Sequence, residues 1–302
     1  MDEQIPASAP ARERAALLTE AAPAKVNLTL RVTGKRADGY HELESLVVFT
    51  RGGDRLTLRP GGALALRVSG PTAAQAGATD DNLVLRAARA LADRVAGLAL
   101  GRFVLAKKLP AGAGLGGGSA DAAAALRLLA RANDIALDDP RLYQAARATG
   151  ADIPVCLASQ PRVMRGIGET LSAPIHLPRL FAVLVHPGFP LATRDVFAAL
   201  KLSPGERRDG RALPDIPPER EALLAFLAEQ GNDLEVAAIA LAPEVEHLLA
   251  ALRALPGCRL ARMSGSGSAC FGLFVSARAA HAAARNLAAA NPQWWVQPTA
   301  LG

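Results

Sequence analysis

The sequence predicts a mixed α/β fold in two packed domains. Three observations carry this: a strand-rich opening, a glycine loop running straight into an alanine-rich helix, and buried-looking strands that return after a break rich in glycine and proline. A chain of 302 residues, 50% of them apolar and 21% charged, can bury a substantial core and is long enough for two domains. The expected division is a loose, disordered extension over residues 1–20, a first domain over 21–172 and a second over 173–302.

The elements follow in order. Over residues 24–32, Val26, Leu28, Leu30 and Val32 alternate with Lys25, Asn27, Thr29 and Arg31, the period-two pattern of a half-buried strand, so Lys25 and Asn27 share one face. Residues 34–39 read as a turn, and 43–49, 55–59 and 64–68 as further strands separated by glycine and proline. Residues 81–96 have helical spacing, 103–106 form a short strand, and a helix is expected over 119–132, with another after residue 133. Glycines and prolines at 165–178 mark the boundary, followed by strands at 181–185 and 271–275 and a helix at 219–229. The polar, Pro-containing stretch 203–218 reads as a mobile connection. The end after Val275 is weakly patterned.

Composition excludes several classes of function. No run of about 18 apolar residues is present, so no membrane span is expected. Met1-Asp2-Glu3-Gln4 places acidic and polar residues where a signal peptide needs basic and then apolar ones, which implies a cytoplasmic protein. Cys156, Cys258 and Cys270 are scattered, odd in number and without C-x-x-C spacing, as expected of reduced buried thiols. The five histidines form no i, i+4 pair, so no protein-held metal is expected. The net charge of +6 is dispersed, and aromatics are only 4%, so the surplus fits an anionic small ligand at least as well as nucleic acid. An RNA-binding protein stays open as the alternative from another class.

The chemistry concentrates between Leu109 and Asp121. Gly112, Gly114, Gly116, Gly117 and Gly118 let successive backbone N–H groups turn inward without Cβ clashes, which is a geometry for binding anions. Ser119 is expected at the N-cap, so that the free amides and positive end of the following helix face a phosphate. Gly112, Gly114 and Gly117 match G-x-G-x-x-G, but no second parallel strand follows soon enough for a dinucleotide unit. A Walker loop needs lysine directly after its last glycine, and Ser119 stands there instead. The cationic partner must therefore come from elsewhere, with Lys107 and Lys108 as candidates. Read singly, Asp152 between a helix and Pro154 is a turn cap, Lys25 a solvated lysine, Tyr40 a turn residue and Phe197 a core residue.

A wider pattern raises these residues. Pro23-Ala-Lys25-Val-Asn27-Leu28, the loop 110–121, and the segment from Met263 through Ser264, Gly265, Ser266, Gly267 and Ser268 to Phe271 resemble the three ordered motifs of the GHMP kinases. Gly39-Tyr40-His41, Gly150-Ala-Asp152-Ile-Pro154, Gly166-Ile-Gly-Glu169 and Asn232-Asp233-Leu234 narrow the resemblance to a branch acting on a cytidine-diphosphate-linked alcohol.

The resemblance implies a ribosomal S5 domain 2-like N-terminal domain and a ferredoxin-like C-terminal domain with the substrates between them. It implies transfer of a phosphoryl group from ATP, with Mg²⁺ arriving on the nucleotide, to the 2-hydroxyl of a methylerythritol carried on cytidine diphosphate, on the isoprenoid precursor route that bypasses mevalonate. Asp152 would take the hydroxyl proton while Lys25 holds that carboxylate and the developing charge. ATP would lie on Pro110, Ala111, Gly112, Ala113, Gly114, Leu115, Gly116, Gly117, Gly118, Ser119 and Ala120, with Asn82, Leu83 and Lys107 flanking the adenosine. Asn27, Tyr40, His41 and Phe197 would receive the cytidine. Ser119 is expected near the Mg²⁺, and Asp121 is either a ligand or, more simply, a first-turn helix charge.

Overall fold

A computed structural model describes residues 16–76, 81–208 and 212–302. The chain begins with β1 (Leu18–Asn27), β2 (Arg31–Lys35) and β3 (His41–Pro60). β3 is the spine of the first sheet. β1 and β2 pair with it end to end along one edge, Leu18 opposite Leu58 and Arg31 opposite Glu44, all antiparallel. Residues 43–49 and 55–59, expected as separate strands, are two ends of this one strand of 20 residues. Gly52 and Gly53 do not end it, because Gly53 provides room for a close crossing: a Cβ there would run into the Ala22 carbonyl of β1.

The other edge of β3 takes β5 (Gly101–Ala106) on its C-terminal half and β6 (Arg162–Gly166) on its N-terminal half. β4 (Ala65–Ser69) lies parallel to β5, and β7 (Thr170–Leu171) pairs with β6. Helices α1 (Leu83–Ala92), α2 (Gly117–Ala132), α3 (Pro140–Thr149) and α4 (Ile153–Ala158) supply the rest of this core. Ala120, Ala122, Ala123, Ala124, Ala125 and Ala130 of α2 are all buried. A helix rich in alanine has high propensity and a thin waist, so it can be enclosed by the sheet and its neighbours together.

The second sheet is β11-β8-β10-β9, from β8 (Leu180–His186), β9 (Cys258–Met263), β10 (Cys270–Phe274) and β11 (Trp295–Leu301). In chain order this is 4-1-3-2 with every pair antiparallel, the ferredoxin-like arrangement. Between β8 and β9 run α5 (Thr193–Ala198), α6 (Arg220–Glu229), α7 (Glu235–Leu241) and α8 (Glu244–Arg253), and α9 (Ala277–Ala290) precedes β11. The two sheets meet where Leu301 pairs with Thr50 of β3. Among the described residues, no helix is long and apolar enough to cross a membrane.

Four further expectations change. The extension expected over residues 1–20 is shorter within the described chain, since Leu18, Thr19 and Glu20 already pair with β3, while residues 1–15 lie outside the description. The strand expected over 24–32 breaks at Leu28–Leu30, and residues 24–30 are buried on both faces because they run between the two halves of the molecule. The weakly patterned end forms α9 and β11, the fourth strand of the second sheet, whose residues are mostly half-buried and so carry little alternation to read. Part of the connection 203–218 is tied down: Arg207 bridges to Gly34, and the Leu213 N–H donates to Glu44 Oε1 at 2.6 Å. Residues 209–211 of it lie outside the description.

Candidate active site

The glycine loop hangs between the end of β5 and α2. Gly112, Gly114 and Gly116 have φ of 63°, 74° and 62°, a region that a Cβ disfavours. Gly116, not Ser119, is the N-cap of α2, and no side chain caps the helix. A left-handed glycine swings the chain directly into the helix, so Ser119 becomes the third helical residue. The unpaired N–H groups of the first turn are left for a ligand.

The loop is seated on the segment 264–268. Ala269 N–H donates to the Ala113 carbonyl at 3.0 Å, Ser264 Oγ donates to the Gly114 carbonyl at 3.1 Å, and Asn27 N–H donates to Ser264 Oγ at 3.2 Å. A Cβ on Gly114 would collide with the Ser264 carbonyl. On the other side, the Lys25 N–H donates to the Leu115 carbonyl at 2.9 Å, which draws β1 against the loop. All three sequence motifs thus converge.

Lys25 and Asp152 meet at that junction. Lys25 Nζ lies 2.9 Å from Asp152 Oδ1, with side chains 6% and 37% exposed. Asp152 is the N-cap residue of α4, yet its side chain caps nothing and turns to the lysine instead. Together with the loop, His41 and Phe197, this pair lines a cleft of about 900 Å³. That is ample for two small-molecule ligands side by side.

Comparison with known proteins matches this geometry. The chain matches the family model "GHMP kinases N terminal domain" over residues 82–160 and "GHMP kinases C terminal" over residues 216–293. It is 57% identical to the 4-diphosphocytidyl-2-C-methyl-D-erythritol kinase of Xanthobacter autotrophicus, over 94% of this chain and 99% of that one. To the protein of the same name from Methylobacterium radiotolerans it is 58% identical, again over 94% and 99%. A crystal structure of 4-(cytidine 5'-diphospho)-2C-methyl-D-erythritol kinase superposes with a TM-score of 0.76 at 37% identity, covering 94% of this chain and 99% of the other. The chain belongs to the 4-diphosphocytidyl-2-C-methyl-D-erythritol kinase family of GHMP kinases.

Other expected residues of this GHMP kinase fall into three groups. Pro110, Ala111, Gly112, Ala113, Gly114, Gly116, Gly117, Gly118 and Ser119 line the cleft with Asn82 and Leu83, whereas Leu115 and Ala120 are buried beneath the loop and act as its anchors. Asn82 caps α1, its Oδ1 accepting from Val84 N–H at 3.0 Å. Leu83 packs under Gly118, where a Cβ would lie 3.2 Å from Leu83 Cδ1.

At the other end of the cleft the rings of His41 and Phe197 stand 4.9 Å apart, tilted by 31°, with exposed Tyr40 beside them. His41 Nε2 and Asn27 Oδ1 are buried polar atoms with no partner in the protein. Unsatisfied polar groups at a cleft wall are what a ligand's polar edge would complete. Burial, then the charges of Lys35 and Arg208, hold the His41 imidazole below its usual value. Asn27 is oriented by donating from Nδ2 to Ser45 Oγ at 2.7 Å.

Of the two lysines proposed as phosphate partners, Lys107 is already engaged, and Lys108 does not line the cleft. Lys107 is buried and bonded to Asp54 and Asp121, and exposed Lys108 contributes its backbone to Asp54 and Trp295. Asp121, expected as a first-turn charge, is instead a buried partner of Lys107. Sequence reasoning missed Thr193 and Arg194 and gave no role to Ser266 of the third motif; all three also line the cleft, with Thr193 and Ser266 hydroxyls 2.8 Å apart. The one available signal was Thr193 lying four residues before Phe197, on the same helical face.

Proposed function

We propose that this chain transfers the γ-phosphoryl group of ATP to the 2-hydroxyl of 4-diphosphocytidyl-2-C-methyl-D-erythritol, in the non-mevalonate route to isoprenoid precursors. The observation that carries the mechanism is the Lys25–Asp152 contact of 2.9 Å at the open end of the glycine loop. Asp152 accepts the hydroxyl proton as the substrate oxygen forms its bond to the γ-phosphorus. The bond from that phosphorus to the β–γ bridging oxygen breaks, and ADP leaves with the electron pair. Lys25 holds the carboxylate in place and offsets charge on the transferred group, which is the main electrostatic task in this reaction class.

The amides at the start of α2 and the loop 110–116 hold the phosphates of ATP, so positioning supplies much of the remaining rate. Residues 21–172 and 173–302 are read as the domains flanking the cleft. Among the described residues, no three His, Cys, Asp or Glu side chains cluster as a metal site. Mg²⁺ would arrive held by the nucleotide phosphates, and Ser119, the hydroxyl in the first turn of α2, would lie beside it. The ion would draw negative charge from the γ-phosphate. His41, Phe197 and Tyr40 clasp the cytosine. Ring stacking tolerates any base, so selectivity falls to the unpartnered His41 Nε2 and Asn27 Oδ1. The three free cysteines and both soluble substrates suit the cytoplasm.

The test is ADP release from ATP across a panel of alcohols. Turnover is expected with the cytidine-diphosphate-linked methylerythritol and not with mevalonate or homoserine. Preference for either of the latter would overturn the substrate assignment.

A further inference from the structure

The segment Asn232-Asp233-Leu234 has no part in the proposed reaction, yet it joins two segments that do. It lies in the turn between α6 and α7 and is tied to the break between β1 and β2: Leu30 N–H donates to the Gly231 carbonyl at 3.0 Å and Asp233 N–H to the Leu30 carbonyl at 2.9 Å. Asp233 Oδ2 accepts from Val32 N–H at 2.8 Å. Beside it the buried guanidinium of Arg262, the residue before Met263, donates to the carbonyls of Leu28 at 2.7 Å, Leu227 at 2.7 Å and Gln230 at 2.5 Å. The turn is thus locked to the stretch of chain that follows Lys25 and Asn27.

From this fixed place Asn232 reaches the third motif. Its side chain is buried, Nδ2 donating to the carbonyls of Met263 at 2.9 Å and Gly265 at 2.8 Å while Oδ1 accepts from Leu234 N–H at 3.0 Å. Two acceptors and one donor around the amide allow a single orientation, since the flipped one would set oxygen against two carbonyls. Those carbonyls flank Ser264, whose buried Oγ donates to the Gly114 carbonyl of the glycine loop at 3.1 Å and accepts from Asn27 N–H at 3.2 Å. Gly265, with φ of 57°, packs between the same two residues: a Cβ there would lie 3.0 Å from the Gly114 carbonyl oxygen and 3.4 Å from Asn27 Oδ1. Gly265 lines the cleft and Asn232 does not. One amide outside the cleft therefore brackets the turn that touches both the ATP loop and the cytidine wall.

We propose that Asn232 is a positioning residue for both ligand sites: its amide holds residues 263–265 so that Ser264 seats the glycine loop and Gly265 backs the Asn27 carboxamide. The proposal rests on ATP and a cytidine-bearing alcohol being the two ligands. Asn232→Asp isolates the role. The carboxylate keeps an acceptor for Leu234 N–H, but both donors are lost and a charged oxygen faces the carbonyls of Met263 and Gly265. Repulsion then shifts the turn, and Ser264 and Gly265 shift with it.

The experiment measures ADP binding by calorimetry, and KM for ATP and for the cytidine-bearing alcohol by ADP release, in the parent, Asn232→Asp and Ser276→Ala. Ser276 Oγ accepts from Ala279 N–H at 3.2 Å at the start of α9 and does not line the cleft, so its loss is the control for lowered stability alone. Asn232→Asp should weaken ADP and raise both KM values by roughly 5- to 50-fold, the scale of two lost hydrogen bonds, while Ser276→Ala lowers Tm and leaves all three unchanged. In a Ser264→Ala background, Asn232→Asp should add less than about 2-fold to the loss of ADP affinity, because the contact through which it acts is already gone. An equal effect in both backgrounds, or parent-like ADP binding in Asn232→Asp, overturns the proposal. If Asn232→Asp does not fold, Asn232→Ser removes the two donors without adding charge and is read by the same outcomes. A parent that binds ADP but spares the cytidine-bearing alcohol overturns the substrate assignment, and the ADP cycle still decides the role of Asn232 toward the loop.

Discussion

Lys25 Nζ and Asp152 Oδ1 are 2.9 Å apart, joining the first strand of the chain to the start of α4. Asp152 is the more exposed partner, at 37% against 6% for the lysine, so the carboxylate faces the cleft and the ammonium supports it from behind. Asp152→Asn should lower kcat by about 10²- to 10⁴-fold, the range for a lost general base. Lys25→Met should cause a loss of similar size, and the double variant should lose far less than the product of the two. Steady-state ADP release measures all three. Additive losses would mean that the two side chains act separately.

The seat of the glycine loop predicts a steric failure. Gly114 has φ of 74°, and a Cβ there would collide with the Ser264 carbonyl. Gly114→Ala should therefore weaken ATP binding by at least about 10-fold and lower Tm, because left-handed strain and a backbone clash act together. Gly62, with φ of 80° and open space around it, is the control for strain alone, and Gly62→Ala should leave KM for ATP unchanged. Calorimetric titration with ADP checks both.

The stacked pair at the far end of the cleft makes a claim about specificity. Phe197→Ala removes the ring 4.9 Å from His41 and should raise KM for the cytidine-bearing substrate about 5- to 100-fold, the value of one stacked base, with KM for ATP little changed. A rise in both constants would place Phe197 in the general packing of the cleft.

His186 predicts a pH dependence of stability. It is 1% exposed, and burial holds its imidazole down at about 4, below the ordinary 6.5. Above the ordinary value both folded and unfolded forms are neutral. As pH falls from about 6.5 to about 4 the unfolded chain binds a proton that the folded chain refuses, so stability is lost across that window, by about 3 kcal/mol in full. Urea unfolding should show this decline in the parent and a shallower one in His186→Asn, whose amide oxygen can still accept the Gly188 N–H that Nδ1 accepts at 3.2 Å. Equal slopes would show that His186 is protonated in the fold.

The glycine loop was legible because its geometry is local: glycines at positive φ followed by a helix start need only adjacent residues. Lys25 and Asp152 were not legible from their own neighbours, since each alone reads as a solvated lysine or a turn cap; the resemblance paired them, and the packing of α4 and β1 against α2 brings them to 2.9 Å. The burial of residues 24–30 misled for the same reason, because period two reports one covered face and this strand has two.

By itself, then, the sequence determined the mixed α/β class, the glycine loop before a helix and the family, because backbone preference and short motifs are properties of neighbouring residues. Tertiary structure alone decided that Gly116 rather than Ser119 starts α2, that Lys107 is held by two aspartates instead of facing phosphate, and that the weakly patterned end is a strand of the second sheet. These depend on contacts between distant segments, where burial and charge pairing override the local preference of any one residue.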